Sequence, residues 1–138
     1  MPGTKKTNAE RRAPRVLVVG ASEPEGMACC DALRLWGFDP RWTSDAERAL
    51  QLAAKHPPVA LVIDLELSRH DPLDVVQALR DHGPTRDVAV VALAASLEDD
   101  LVELALQRGC DTMLAKPADV DEIAAEAERL LCRRRRAA

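Results

Sequence analysis

Short apolar runs alternate with helical stripes along the chain. The runs are Val16–Val19, Val59–Ile63 and Val88–Leu93, none of which contains a polar residue. Successive side chains of a strand point to opposite faces, so a continuous run of this length fits a strand covered on both sides. Between the runs, apolar residues recur at three and four positions, over Met27–Trp36, Leu73–Leu79 and Leu97–Leu106. The first of these places Ala28, Cys29, Ala32, Leu33 and Trp36 on one side. Two weaker strands, Arg41–Thr43 and Thr112–Leu114, precede helices over Asp45–Lys55 and from Asp119 to about Leu131. In the last helix Val120, Ile123, Ala124, Ala127, Leu130 and Leu131 form a single stripe. Five strand–helix pairs predict an α/β fold: a parallel sheet joined by right-handed crossovers, with helices on both faces.

Punctuation supports this division. Thr43 or Ser44 is expected to cap the second helix and Ser96 the fourth, the latter followed by Glu98, Asp99 and Asp100 where the helix dipole favours acids. Gly37, Gly83 and Gly109 are expected to close the first, third and fourth helices. Residues 1–14 are polar, contain Pro2, Gly3 and Pro14, and show no period, so they read as a disordered basic lead-in. The domain is expected over 15–132, followed by a basic tail over 133–138 that holds Arg133–Arg136.

Composition narrows the class. At 138 residues, with 47% hydrophobic and 30% charged residues, the chain fits one soluble globular domain with its own core. No apolar run is long enough to cross a bilayer and the first fourteen residues lack a secretory pattern, so the expectation is a cytoplasmic protein with no membrane contact. Cys29, Cys30, Cys110 and Cys132 show no C-x-x-C spacing and read as reduced, packed thiols. The net charge of −4 is unevenly spread: the two ends carry +3 and +4, leaving the body eleven basic against twenty-two acidic residues. Basic ends permit weak contact with nucleic acid, but no aromatic platform accompanies them.

Ligands of an open parallel sheet bind beyond the carboxyl ends of its strands. Those ends carry Gly20, Ala21 and Ser22, then Asp64 to Glu66, then Ala94 to Ser96, then Lys116 and Pro117. An aspartate closing a buried strand is costly unless paired, and Lys116 is the cation placed to pair with Asp64.

The segments RVLVV, ALVIDLELSRHDPLDVVQALR and GCDTMLAKPADVDEI together resemble a receiver domain of the bacterial two-component response-regulator family, over Arg15 to about Leu131. The resemblance implies a flavodoxin-like (βα)5 fold with strand order 2-1-3-4-5. By position it makes Asp64 the phosphoacceptor for a histidine kinase and Lys116 the residue that contacts the phosphoryl group, and it implies a cis Lys116–Pro117 bond. Two acidic residues that help hold Mg2+ in the family are replaced by Gly20 and Ala21. Magnesium demands oxygen ligands, so the metal site reads as degenerate: Asp64 and, by position, the Glu66 carbonyl remain, and the side chains of Glu66 and Glu23 are possible substitutes only if their loops bend inward. Ala94 stands where the family has a hydroxyl that binds the phosphoryl oxygen, and Met113 where it often has a rotating aromatic.

These departures lead to the expectation of an atypical, stand-alone pseudo-receiver. It would need no cofactor, Mg2+ entering only if the site is rescued, and it would not be an enzyme. It would act by binding a protein, a histidine kinase or output protein, through the face of helix 4, strand 5 and helix 5, or by forming a homodimer. With only arginines after the last helix, its output is expected to lie in another chain. On the fourth helix, Leu101, Leu104 and Ala105 fit the buried stripe, leaving Val102 and Leu106 as the expected interface pair. The alternative is a conventional phosphoacceptor receiver using Asp64.

A nucleotide- or flavin-binding enzyme is a weaker alternative. VLVVGASEPEG has glycines at 20 and 26, but Glu23 and Glu25 would repel pyrophosphate, and Met27 and Ala28 replace the Lys and Ser or Thr of a phosphate-binding loop. His56, His70 and His82 have no nucleophile motif nearby, which disfavours hydrolases.

Overall fold

The computed structural model describes residues 13–67 and 71–137. Residues 1–12 of the lead-in, and His70, lie outside them. Five strands, β1 (Arg15–Val19), β2 (Asp39–Thr43), β3 (Ala60–Asp64), β4 (Ala89–Ala94) and β5 (Thr112–Ala115), alternate with α1 (Glu23–Leu35), α2 (Ala46–Lys55), α3 (Pro72–Asp81), α4 (Asp99–Gln107) and α5 (Val120–Ala137). A 3-10 turn over Gly83–Thr85 precedes β4. The sheet has order β2-β1-β3-β4-β5, and every pairing is parallel. The alternation predicted the parallel sheet with helices on both faces, and the strand order is the flavodoxin-like one that the resemblance implied.

The apolar runs occupy the three central strands and feed two separate cores. On one face Leu17, Leu61, Ile63 and Val90 pack with residues of α2 and α3. On the other, Val16, Val62 and Val91 pack with Cys29 and Leu33 of α1 and with Ile123, Ala124 and Ala127 of α5. Consecutive residues of one run are thus buried on opposite faces, which is why the runs carry no polar alternation. The weak signal of β2 has the opposite cause. It is an edge strand carrying Pro40, which has no N–H to donate and is tolerated only where a ladder ends.

Several local expectations need correction. Asp45, not Thr43 or Ser44, caps α2, accepting bonds from the amides of Glu47 and Arg48, while the Thr43 hydroxyl accepts from Asp45 N. Ser96 lies three residues before the helix start, and Glu98 occupies the N-cap position of α4 without a side-chain cap bond. Gly83 opens the 3-10 turn instead of closing α3, which ends at Asp81 with His82 as its C-cap. Gly37 and Gly109 do follow their helices, with φ of 94° and 113° that side chains with a Cβ rarely adopt. The first helix begins four residues earlier than its apolar stripe, because Ser22 accepts from Glu25 N and Pro24 sits in the first turn. Finally, α5 runs through Arg133–Arg136, so these arginines form its last turns. Among the described residues no helix is long and apolar enough to cross a membrane.

Candidate functional site

β1, β3, β4 and β5 present their carboxyl ends side by side, and Asp64 at the end of β3, with the residues that follow the strands, forms the site. Asp64 is the last residue of β3, paired in register with Leu93 of β4. Its Oδ1 accepts the Glu66 amide at 2.8 Å and its Oδ2 accepts Lys116 Nζ at 2.7 Å. The ammonium also donates to Glu66 Oε1 at 3.1 Å. Lys116 is itself fixed by its backbone, whose N–H donates to the Ala94 carbonyl at 2.8 Å; the Lys116–Pro117 bond is cis.

The pair is largely out of water. The side chains of Asp64 and Lys116 are 14% and 22% exposed, against 50% for Glu66. Burial, the largest single influence on Lys116, works to lower its pKa, but the hydrogen bonds and charges of Asp64 and Glu66 together outweigh it, and the ammonium is held above its ordinary value. Three groups thus form one closed charge set, with the lysine between two carboxylates.

The other expected positions fall as follows. Gly20 borders Asp64 closely: a Cβ placed on it would lie 3.5 Å from the Asp64 Cβ. Ala21 is exposed in the turn before α1, and Glu23 is exposed in the first turn of that helix. Glu66, expected to need a bend of its loop to reach the site, reaches Lys116 directly. Ala94 is buried, and Met113 is half-buried against the α2–α3 core. Among the described residues no three His, Cys, Asp or Glu side chains converge in a way that could hold a metal. The donor set therefore does not fit Mg2+: Gly20 and Ala21 offer no side-chain oxygen, and the carboxylates present are bridged by an ammonium.

The expected interface pair also changes. Leu106 is 50% exposed, but Val102 is half-buried and Leu104, assigned to the sheet-facing stripe, is 44% exposed. Ala105 alone among these residues is fully buried, with Leu101 half-buried. The helix presents about 100° per residue, so a one-position error in the centre of the stripe exchanges Val102 for Leu104.

Two features escaped the sequence reading. The Trp42 indole N–H donates to the Gly20 carbonyl at 3.1 Å and lies on Gly26, where an added Cβ would meet Trp42 ring atoms at 2.2 to 2.9 Å. The glycine inside an otherwise regular helix was the available signal. Beside this contact a cavity of about 160 Å³ opens between α1, α5 and the strand ends. At the opposite end of the sheet, Arg80 of α3 donates to the carbonyls of Arg86, Val88 and Gly109 and to Asp111.

The family model for the response regulator receiver domain matches residues 16–128. The chain belongs to this family. Transcriptional regulatory protein PrrA of Mycobacterium tuberculosis is 34% identical over 122 residues, covering 88% of this chain and 52% of that protein. The probable chemotaxis protein CheY of Rhizobium etli is 27% identical over 115 residues, 83% of this chain and 89% of that protein. The chain spans about half the length of PrrA. Among solved structures, a putative response regulator from Chloroflexus aurantiacus superposes with a TM-score of 0.80 at 24% identity, covering 88% of this chain and 99% of that one. Chemotaxis protein CheY4 of Vibrio cholerae gives 0.81 at 18% identity, covering 86% and 98%. These structures share the fold. The receiver identity gives the strand-end cluster its context: this is a receiver domain of the two-component response regulators, and Asp64, Glu66 and Lys116 meet at the carboxyl ends of its strands.

Proposed function

We propose that this receiver domain is a phosphate-independent or weakly phosphorylated adaptor that signals by binding another protein. The carrying observation is the closed Asp64–Lys116–Glu66 set beside Gly20 and Ala21. Phosphoryl transfer draws on a metal that bridges and neutralises charge, and this donor set does not provide for one. Lys116 already neutralises Asp64, and Ala94 has no hydroxyl with which to bind a phosphoryl oxygen and draw the loop inward. Such a domain is not an enzyme, and its information lies in a binding surface.

That surface is the side of α4 turned toward β5 and α5, where Leu106 is 50% exposed and lies near Asp111 and Arg134. A histidine kinase, an output protein or a second copy of this chain would meet it there. The second reading, in which Asp64 takes a phosphoryl group, is favoured by its place at the end of β3 and its contact with Lys116. Intact-protein mass after incubation with Mg2+ and acetyl phosphate separates the two, with Asp64→Asn as control and a non-hydrolysable phosphoryl mimic to exclude a short-lived adduct. The adaptor reading expects no added phosphoryl group on the folded protein and no effect of the mimic. A single addition that disappears in Asp64→Asn establishes the phosphoacceptor instead.

A further inference from the structure

The cavity beside Asp64 is enclosed mainly by apolar groups, among them Val62, Leu93, Cys29, Ile123 and the Trp42 ring. At about 160 Å³ it matches the size of buried apolar cavities that take up a single benzene ring. Its polar lining is different in kind. Asp64, Glu25 and Lys116 contribute to it, and Glu66 holds Lys116 from the other side. Three carboxylates against one ammonium give this cluster a net charge of −2. The Asp64 carboxylate accepts one bond on each oxygen, which leaves lone pairs free for a further donor. The Trp42 indole on the wall supplies an aromatic surface beside these charges.

We infer that this cavity is a binding site for a small organic ammonium compound, its single ring seated between α1 and α5 and its charged head on Asp64. The inference rests on the proposed reading in one respect: Asp64 must be free of metal and phosphate. An anionic ligand of the same shape would face Asp64 and Glu25 and be repelled. A neutral one would fill the apolar part without the charge-assisted bond. Occupancy would bring a chemical signal to the position that a phosphoryl group takes in a conventional receiver.

The test titrates the protein with benzylamine, benzyl alcohol, phenylacetate and, separately, Mg2+. Trp42 fluorescence is read in a Trp36→Phe background, and backbone amide shifts are followed in parallel. Benzylamine is expected to saturate, shifting Gly20, Gly26 and Ile123, with benzyl alcohol at least about tenfold weaker and phenylacetate inert. Ala118→Phe, which fills the cavity from its rim, is expected to abolish the response while far-UV circular dichroism stays unchanged. No saturation by benzylamine, equal binding of phenylacetate, or an undiminished response in folded Ala118→Phe overturns the inference. The metal arm separates the two levels: saturation by Mg2+ at Asp64 with phosphoryl addition refutes the adaptor reading, whereas failure of benzylamine with Mg2+ inert refutes the ligand site alone.

Discussion

Replacing Gly26 by alanine should destabilise this protein, although the same change in a helix interior is ordinarily favourable by about 1 kcal/mol. The reversal comes from Trp42. A Cβ at position 26 would lie 2.2 Å from Cδ1, 2.4 Å from Nε1 and 2.9 Å from Cγ of the indole. Cγ is the root of the ring, so a small swing of a distal atom does not relieve the clash. The whole indole must leave, surrendering its bond to the Gly20 carbonyl. Overpacking of this kind costs about 1–3 kcal/mol and a lost hydrogen bond about 1 kcal/mol. Set against the helix gain, Gly26→Ala should cost about 2 kcal/mol net. In a Trp42→Ala background the clash is absent, and the same substitution should stabilise by about 1 kcal/mol. The coupling between the two positions is therefore about 3 kcal/mol, with a change of sign. Urea unfolding followed by far-UV circular dichroism, which does not depend on the tryptophan signal, measures all four proteins. A neutral or stabilising Gly26→Ala in the presence of Trp42 would refute the packing described here.

Two further expectations concern charge and thiols. Lys116→Met leaves the 14% exposed Asp64 carboxylate without its ammonium and should cost about 2 kcal/mol, between the values for exposed and for buried pairs. Because the folded state holds the Lys116 pKa above its unfolded value, this contribution is fully present below the ordinary lysine pKa and is lost as pH rises through the folded one. The gap between wild type and Lys116→Met in denaturant midpoint should therefore stay constant from neutral pH to about 10 and close above it; a gap that closed near neutrality would contradict the charge set. Burial raises Cys29 to about 12 and Cys110 to about 11, whereas Cys132 is only half-buried. With a disulfide reagent at pH 8, the half-buried Cys132 should react first and the buried Cys29 more than about tenfold more slowly in the folded protein; equal rates would show that the α1 core opens readily.

The strands that form the core were legible because burial on both faces leaves a continuous apolar run, as in Val59–Ile63 and Val88–Leu93. The pairing of Asp64 with Lys116 was legible from chemistry, since a strand-end carboxylate needs a partner and one cation was placed to supply it. Glu66 was only half legible. Its side chain was expected to need an inward bend of the loop, and the amide of Glu66 does turn back onto Asp64 Oδ1 while the side chain meets Lys116. The rotation of α4 was not legible, because Val102 and Leu104 are both apolar and stripes of such short helices tolerate a shift by one position. The contact of Trp42 with Gly26 links an edge strand to a helix, and pattern alone does not encode distances between elements. The arginines after Leu131 read as a solvated tail because charge runs break no helix rule, and their helical continuation depends on contacts elsewhere in the fold.

One of those contacts is Arg134 with Asp111, 2.9 Å apart. The same Asp111 oxygen accepts the Val90 amide and an Arg80 N–H, and the Asp111 amide donates to the Val90 carbonyl. A single carboxylate just before β5 thus gathers β4, α3 and α5. β5 is a four-residue edge strand whose side chains are only partly buried, so apolar packing holds it weakly. Its lower end is tied by these ionic contacts, and of them the pair with Arg134, the most exposed of the three side chains, is the one that dissolved salt screens most.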